Sequence, residues 1–208
     1  MSITVWGSAF MLYLLFKLWY DGFRQPLSQS DVERFLQMAT ARAEKDGQTP
    51  NLEGLRKFLE EDDGREFIMV NLLQFNATPI SDPDTGEAST GPILLRKYFK
   101  PFMGRILRRA GHPVIAGQVK GGYLDEWNTP PNPGWHAAGL VRYRSRRDAM
   151  ELSLANTDFD ELHKYKVAAL AQTFAIPTHR QMGFYASPRV SVALILALAA
   201  ALLQLALV

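Results

Sequence analysis

Two long apolar runs, one near each end of the chain, most strongly constrain what this sequence can form. They cover residues 3–20 and 190–208, which are 18 and 19 residues long. At about 1.5 Å per helical residue, each reaches about 27 to 29 Å, close to the hydrocarbon thickness of a bilayer. Neither run has a polar face, so neither suits the surface of a water-soluble domain. The sequence therefore predicts transmembrane helices within residues 1–24 and 186–208.

The first run carries the aromatic residues expected at the two membrane surfaces. Trp6 lies near one end, and Trp19 and Tyr20 lie at the other; such residues are typical of membrane–water interfaces. Its one charge, Lys17, is close enough to the end to reach the headgroups. A cleaved signal peptide is the alternative, but no Lys or Arg precedes the run and no small-x-small cleavage site follows it. The pattern favours a retained helix.

Basic residues lie toward the inner end of each run. Lys17, Arg24 and Arg34 lie on the C-terminal side of the first helix, Arg180 and Arg189 precede the second, and nothing basic follows the second. Cytoplasmic flanks of membrane helices are enriched in Lys and Arg. We therefore expect an integral membrane protein with both termini outside and the intervening domain on the cytoplasmic side.

The second run also contains a row of small residues, Ala193, Ala197 and Ala201. Such a row permits the close approach of another helix, either the first membrane helix or a helix of another protein. A removable tail of the lipid-anchor type is the alternative. Ala186-Ser187 is small enough for its cleavage site, but the polar spacer is too short.

The stretch Phe67–Phe75 organises the chain between the two runs. It is short, almost continuously apolar, and bounded by turn residues at 62–64 and 76–91. On a strand, Asn71 would share one face with Phe67 and Phe75, while the opposite face is also apolar. Because both faces need cover, this stretch is predicted to be the central strand of an α+β domain.

A helical linker pair is predicted over residues 25–64. Ser30 and Glu33 have the spacing of a capping box, and apolar residues follow with helical periodicity from Val32. Thr49-Pro50 suits the start of a second helix, since proline at the first helical position costs no hydrogen bond. We interpret the pair as a packing extension or stalk between the membrane helix and the strand domain.

Strand and helix patterns alternate after the central strand. Ser145 is placed to accept hydrogen bonds from first-turn amides of a helix that follows it. The predicted elements are a helix over 92–110, strands over 114–120 and 135–144, helices starting at 145 and 157, and a strand over 173–177. The order β-α-β-β-α-β is the ferredoxin-like arrangement, here at residues 65–180. The segment 77–91, between the central strand and the 92–110 helix, is interpreted as a solvated loop, since Asp82 and Asp84 lack calcium-loop spacing.

Composition excludes several classes of function. The chain has 208 residues, a net charge of +2 and no cysteine. The small charge gives no basis for nucleic-acid binding, and the absence of cysteine rules out disulfides and thiolate metal sites. The basic residues on the 92–110 helix could attract anionic headgroups, but a solvated face is favoured.

Several motifs resemble one known family. The strand sequence at 69–75 is similar to its first-strand signature M-V-N-L-L-x-F, and residues 140–146 and 174–177 resemble its third and last strands. The family is the domain-of-unknown-function family numbered thirteen-thirty, in the dimeric α+β barrel superfamily. Arg144 stands where that family has proline, and the terminal membrane runs are additions to its usual domain. The resemblance implies a fold and a dimer in which two sheets face each other, and it implies no reaction.

Polar residues among apolar ones on the predicted strands are the candidate site. Asn71, Gln118, His136 and Arg142 would line one pocket if they shared a sheet face. Related barrel families use such pockets for cofactor-free or haem chemistry; His136 would then be the acid, base or iron ligand, and Arg142 would stabilise an anion. The alternative is structural, with Asn71 bonding local backbone and His136 at a strand edge. No cofactor or metal is predicted, and no histidine pair has the spacing of a helical metal site.

Two functions follow from these patterns. The first is a non-catalytic, membrane-tethered accessory or assembly subunit, which contacts the lipid bilayer and forms a homodimer or binds a membrane-protein partner. The second is a small membrane-associated enzyme, cofactor-free or haem-dependent, of the oxygenase or isomerase type, acting on an apolar substrate. The sequence favours the first because no recognisable catalytic set accompanies the two membrane runs.

Overall fold

The chain divides into two units. The computed structural model describes residues 2–45, 47, 49–155, 157–183 and 187–207. One unit comprises Met1–Arg24 and Arg180–Val208, and the other comprises Gln25–His179. The elements in order are α1 (Ser2–Asp21), α2 (Gln29–Lys45), α3 (Leu52–Glu60), β1 (Phe67–Phe75), β2 (Ile80–Ser81), β3 (Ala88–Ser89), α4 (Gly91–Arg108), β4 (His112–Gln118), β5 (Ala137–Tyr143), α5 (Arg146–Ser153), α6 (Thr157–Ala169), β6 (Leu170–Thr178) and α7 (Pro188–Ala206).

Helices α1 and α7 form an antiparallel hairpin. The indole Nε1 of Trp6 donates to Oε1 of Gln204 at 2.6 Å. At the other end of the hairpin, Nε of Arg189 donates to Oδ1 of Asp21 at 2.7 Å. The two helices are long and apolar enough to cross a membrane, and only 6% of each apolar window is buried. Two apolar terminal helices, as predicted, are therefore present.

The second unit is a mixed α+β domain built on a four-stranded antiparallel sheet. The strand order is β4-β5-β1-β6, with β1 hydrogen-bonded on both sides. Asn71 lies opposite Gly139 of β5 and Ala175 of β6, while Ile68 lies opposite Arg142. Since side chains alternate between faces, this register assigns each strand residue to one of two sides.

The helices cover one side of the sheet, which we call the helix side. A first core cluster joins the sheet to α4, α5 and α6; its buried members are Leu73, Leu94, Leu95, Tyr98, Phe102, Ile106, Val141, Leu152 and Ala169. A second cluster joins β1 and α5 to α2 and α3; its buried members are Val32, Phe35, Leu36, Leu59, Phe67, Ala149 and Met150. Burial of each large apolar side chain stabilises the fold by about 1.5 to 3 kcal/mol. Helices α2 and α3, expected as a linker, thus belong to the same unit as the sheet.

Several predicted details differ from the structure. The segment 77–91 is mostly exposed, as expected of a solvated loop, but it contains the small hairpin β2–β3, and Asp82 is buried beside Lys97. The last strand extends over nine residues. Helix α2 begins at Gln29, and its capping box uses Ser28 and Asp31: each backbone N–H donates to the other side chain, at 3.1 and 3.2 Å.

Candidate functional site

Asn71 and Arg142 lie on opposite sides of the sheet. The Asn71 amide is on the helix side, where its Nδ2 donates to the backbone oxygen of Met69 at 3.1 Å. Arg142 pairs with Ile68 and His112 across the sheet, and therefore lies on the other side. The expected pocket shared by all four candidates does not form, because the strand register separates these two side chains.

Arg142 forms hydrogen bonds that connect parts of the fold. Its side chain is 4% exposed. Its Nε and Nη2 donate to Oε2 of Glu66 at 2.9 and 2.7 Å, and Nη1 donates to the backbone oxygen of Ala110. A buried arginine held in this way joins β5 to the segment before β1 and to the end of α4.

Gln118 and His136 are both exposed. The Gln118 Oε1 accepts from Nζ of Lys120 at 3.1 Å, at the end of β4. The Nδ1 of His136 accepts from the backbone N–H of Phe75 at 3.2 Å, and His136 directly precedes β5, an interior strand of the sheet. Any role of the four candidates in function stays a prediction.

The side of the sheet opposite the helices, which we call the open face, carries exposed apolar residues. Phe174 and Ile176 of β6 are 55% and 49% exposed, and Ile115 of β4 is 43% exposed. Trp135 is the large side chain that packs over part of this face, with its ring 5.4 Å from that of Phe174. The open face thus presents exposed apolar side chains on β4 and β6, the two edge strands of the sheet.

A cavity of about 200 Å³ lies on the helix side of the sheet, which we call the helix-side cavity. It is lined by Met69, Asn71, Leu73, Leu95, Tyr98, Phe99, Phe102, Val141, Tyr143, Ala149, Met150, Ser153, Lys166 and Ala175. Ala175 is exposed, while the other lining residues are buried or part-buried. The lining is mainly apolar with a few convergent polar groups, as in small-molecule sites.

Among the described residues of this lining, Lys166 is the charged one. Its Nζ lies 5.9 Å from the centre of the Tyr98 ring. Burial and, to a lesser extent, the charge of Arg42 lower the pKa of Lys166. Burial likewise raises the pKa of the Tyr98 and Tyr143 phenols, so both stay protonated at neutral pH. The cavity therefore holds an amine whose charged form is disfavoured, next to neutral hydroxyl groups.

The spacing of residues in the sequence could have indicated the unusual position of Lys166. Position 166 is four residues after Leu162 and three before Ala169. Residues with this spacing share one face of a helix. Lys166 therefore lies on the apolar stripe of α6 that packs toward the sheet, where a lysine is unexpected.

Most other charged residues of the α+β unit form ion pairs. Asp148 accepts from Arg144 at 2.7 and 2.9 Å, from Ser145 at 3.0 Å and from Arg109 at 3.3 Å. Ser145 in turn accepts from the backbone N–H of Asp148 at 3.1 Å, which confirms the predicted cap of α5. Within the described residues, no cluster of three or more His, Cys, Asp or Glu could hold a metal ion.

These features define a mixed α+β domain that carries two terminal helices apolar enough to cross a membrane. No family model and no curated protein matches the chain. Crystal structures of RPA0582 share its fold: the methylated protein, and the form described as a protein of unknown function from Rhodopseudomonas palustris. Both have a TM-score of 0.54, with 19% and 21% identity. They cover 66% and 65% of this chain and 96% and 97% of the RPA0582 chains.

Proposed function

We propose that this protein is a membrane-tethered α+β domain that serves as an accessory or assembly subunit of a membrane complex. The observation that carries the proposal is the open face, on which Phe174 and Ile176 expose about half of their surface. Contiguous exposed apolar surface on a folded domain marks an interaction site. The four polar candidates, in contrast, do not converge on one point, which favours association over catalysis at those residues.

We infer that the partner on the open face is a second copy of the chain. Among the described strand residues on this face, Arg142 is charged and is already paired with Glu66, so these residues offer mainly apolar contacts. Two identical apolar sheet faces are complementary to each other under twofold symmetry. The resemblance to the thirteen-thirty family, in which two sheets face each other, supports the same arrangement.

We also assign the domain to the ferredoxin-like class. Helix α4 connects β1 to β4, and α6 leads from the β5 side to β6. The sheet order β4-β5-β1-β6 supports this class, since it follows from two such crossovers around a central antiparallel pair.

A charge-inserting substitution tests self-association. In full-length protein in mild detergent, Ile176→Glu should convert a dimer into a monomer, as measured by light scattering after size exclusion. Ile93→Glu is the matched control, because Ile93 of α4 is also exposed, by 50% against 49% for Ile176. A wild-type monomer at micromolar concentration, or equal effects of the two substitutions, would contradict self-association.

Purification from native membranes tests the accessory role separately. Tagged protein in mild detergent should retain a membrane partner in fixed stoichiometry. Loss of this partner from the Ile176→Glu variant is not required by the accessory role. Recovery of the chain alone or with itself only would contradict the accessory role while leaving the dimer intact.

We propose that both termini lie outside and that the α+β unit is cytoplasmic. The basic residues near Arg24 and Arg189 support this orientation, and an antiparallel hairpin keeps the two termini on one side. Because the chain has no cysteine, single cysteines at Ser2, Ser89 and Val208 can be labelled cleanly. Labelling of position 89 from outside intact cells, with both ends protected, would overturn this topology.

The helix-side cavity favours a second candidate function, a small membrane-associated enzyme acting on an apolar substrate. Its volume and apolar lining suit a small ligand. Binding of a small apolar ligand to purified protein, lost when Ala175→Phe narrows the cavity, would support this candidate.

A further inference from the structure

The amine of Lys166 lines the helix-side cavity. Among the described residues that line the cavity, Lys166 is the charged one and none is Asp or Glu. An ammonium in mainly apolar surroundings is costly unless it is paired, and such a lysine tends to lose its proton instead. Lysines activated as nucleophiles are desolvated in apolar pockets or placed next to another cation. Lys166 has both features, since it is desolvated and Arg42 of α2 adds a second positive charge nearby.

We propose that Lys166 is a nucleophilic amine that captures a small apolar aldehyde or ketone in the helix-side cavity as an imine. The site would be independent of self-association, because the cavity and the open face lie on opposite sides of the sheet. The side chains of Met69, Leu95 and Phe102 line the cavity and would contact the apolar part of the carbonyl compound.

The chemistry balances without an oxidant or reductant. The lone pair of neutral Nζ attacks the carbonyl carbon, and the carbonyl oxygen takes a proton to give a carbinolamine. Loss of water from the carbinolamine leaves the imine, so amine plus carbonyl becomes imine plus water. The hydroxyl group of Tyr143 lines the same cavity and can donate a hydrogen bond to the carbonyl oxygen.

The fraction of neutral amine distinguishes Lys166 from other lysines. At pH 7, an ordinary lysine is neutral in about one molecule in 2,500. Each unit by which the pKa falls raises that fraction about tenfold. Lys164, two residues earlier on α6, forms an ion pair with Asp84 that raises its pKa. Lys164 is therefore a matched comparison for Lys166, and we expect Lys166 to react with a carbonyl compound faster than Lys164.

Reductive trapping tests the proposal. Full-length protein in mild detergent is treated at pH 7 with hexanal and cyanoborohydride, and the labelled peptides are quantified by mass spectrometry. Lys166 should be alkylated at least about tenfold faster than Lys164. With glyceraldehyde, which is polar, the ratio of the two rates should fall several-fold. Lys166→Met should remove this label and leave labelling of Lys164 unchanged.

Substitutions at the cavity mouth supply the structural control. Ala175→Phe, at an exposed strand position lining the cavity, should slow labelling of Lys166 several-fold. Gln172→Phe, also on β6 but paired with Gln74 on the other side of the sheet, should not. The proposal is overturned if Lys166 reacts no faster than Lys164, or if Ala175→Phe leaves its rate at the wild-type value.

Discussion

Arg189 of α7 and Asp21 of α1 form an ion pair with the Nε–Oδ1 distance at 2.7 Å. The Arg189 guanidinium also lies 4.8 Å from the centre of the Tyr20 ring. The side chains of Arg189 and Asp21 are 23% and 8% exposed. This contact closes the end of the hairpin nearer to the α+β unit along the chain.

The first prediction is that Asp21 and Arg189 are energetically coupled. Asp21→Ala and Arg189→Ala should each destabilise the hairpin, and the double variant should cost less than the sum by about 1 kcal/mol. Unfolding of full-length protein in mixed micelles of increasing SDS content measures these differences. Strict additivity of the two effects would show that the pair contributes nothing.

The second prediction gives opposite signs to two glycines in α4. A Cβ at Gly91 would lie 2.7 Å from Cδ1 of Phe75 and 2.9 Å from the backbone oxygen of Ala169. A Cβ at Gly104 would meet nothing within 4 Å. Gly91→Ala should therefore destabilise the domain by about 1 to 3 kcal/mol through overpacking, whereas Gly104→Ala should stabilise it by about 0.5 to 1 kcal/mol through helix propensity. Thermal unfolding followed by circular dichroism compares the two variants, and the same sign for both would contradict the packing described at Gly91.

The third prediction concerns the asymmetry of the Arg142–Glu66 pair. Glu66→Ala leaves a buried guanidinium without its carboxylate and should cost about 3 to 5 kcal/mol. Arg142→Met leaves a carboxylate that is 25% exposed and can be hydrated, so it should cost less. The double variant Glu66→Leu with Arg142→Met should approach wild-type stability. Urea unfolding at pH 7 provides the comparison, and equal costs for the two single variants would refute this account.

The fourth prediction is a pH dependence at Asp31. Hydrogen bonds from Arg147 and then from Ser28 hold the pKa of the Asp31 carboxyl well below its usual range. A carboxyl whose pKa is lowered by folding contributes stability above its unfolded pKa of about 4, and this stability is lost as the pH falls further. Asp31→Asn should therefore cost about 1 to 2 kcal/mol at pH 7, and its difference from wild type should shrink below about pH 4. A difference that stays constant from pH 7 to pH 2 would argue against it.

Helices and strands were predicted well where the residues of one continuous segment are enough to identify them. The apolar terminal runs, the strand Phe67–Phe75 and the Ser145 cap all lie close to their predicted places. The capping box of α2 lies two residues before the predicted one, because Ser28 and Ser30 are both followed three residues later by an acidic residue. Asp31, the acidic residue of the box that forms, also pairs with Arg147 of α5. The start of β6 at Leu170 could not be predicted because Leu170 continues the apolar stripe of the preceding helix.

The candidate site depended on relationships that a strand sequence does not contain. Alternation within β1 correctly groups Asn71 with Phe67 and Phe75, but the side on which Arg142 lies follows from pairing of Ile68 with Arg142 across two strands. A shift of one residue in this strand pairing would have placed Arg142 on the opposite side of the sheet. The position of Lys166 on its helix could be predicted from the sequence. Its desolvation could not, because it arises from α4, β5 and β1 together.

The hairpin of α1 and α7 has a consequence for the unfolded state. The chain has no cysteine, yet two helices that stay paired in a bilayer would keep residues 24 and 180 near each other even when the unit between them is denatured. A cross-link that closes a loop of more than 100 residues restricts the denatured chain by about 4 to 5 kcal/mol in the loop-entropy account. Removing either helix would thus enlarge the conformational freedom of the denatured domain, as reduction of a disulfide does in a secreted protein.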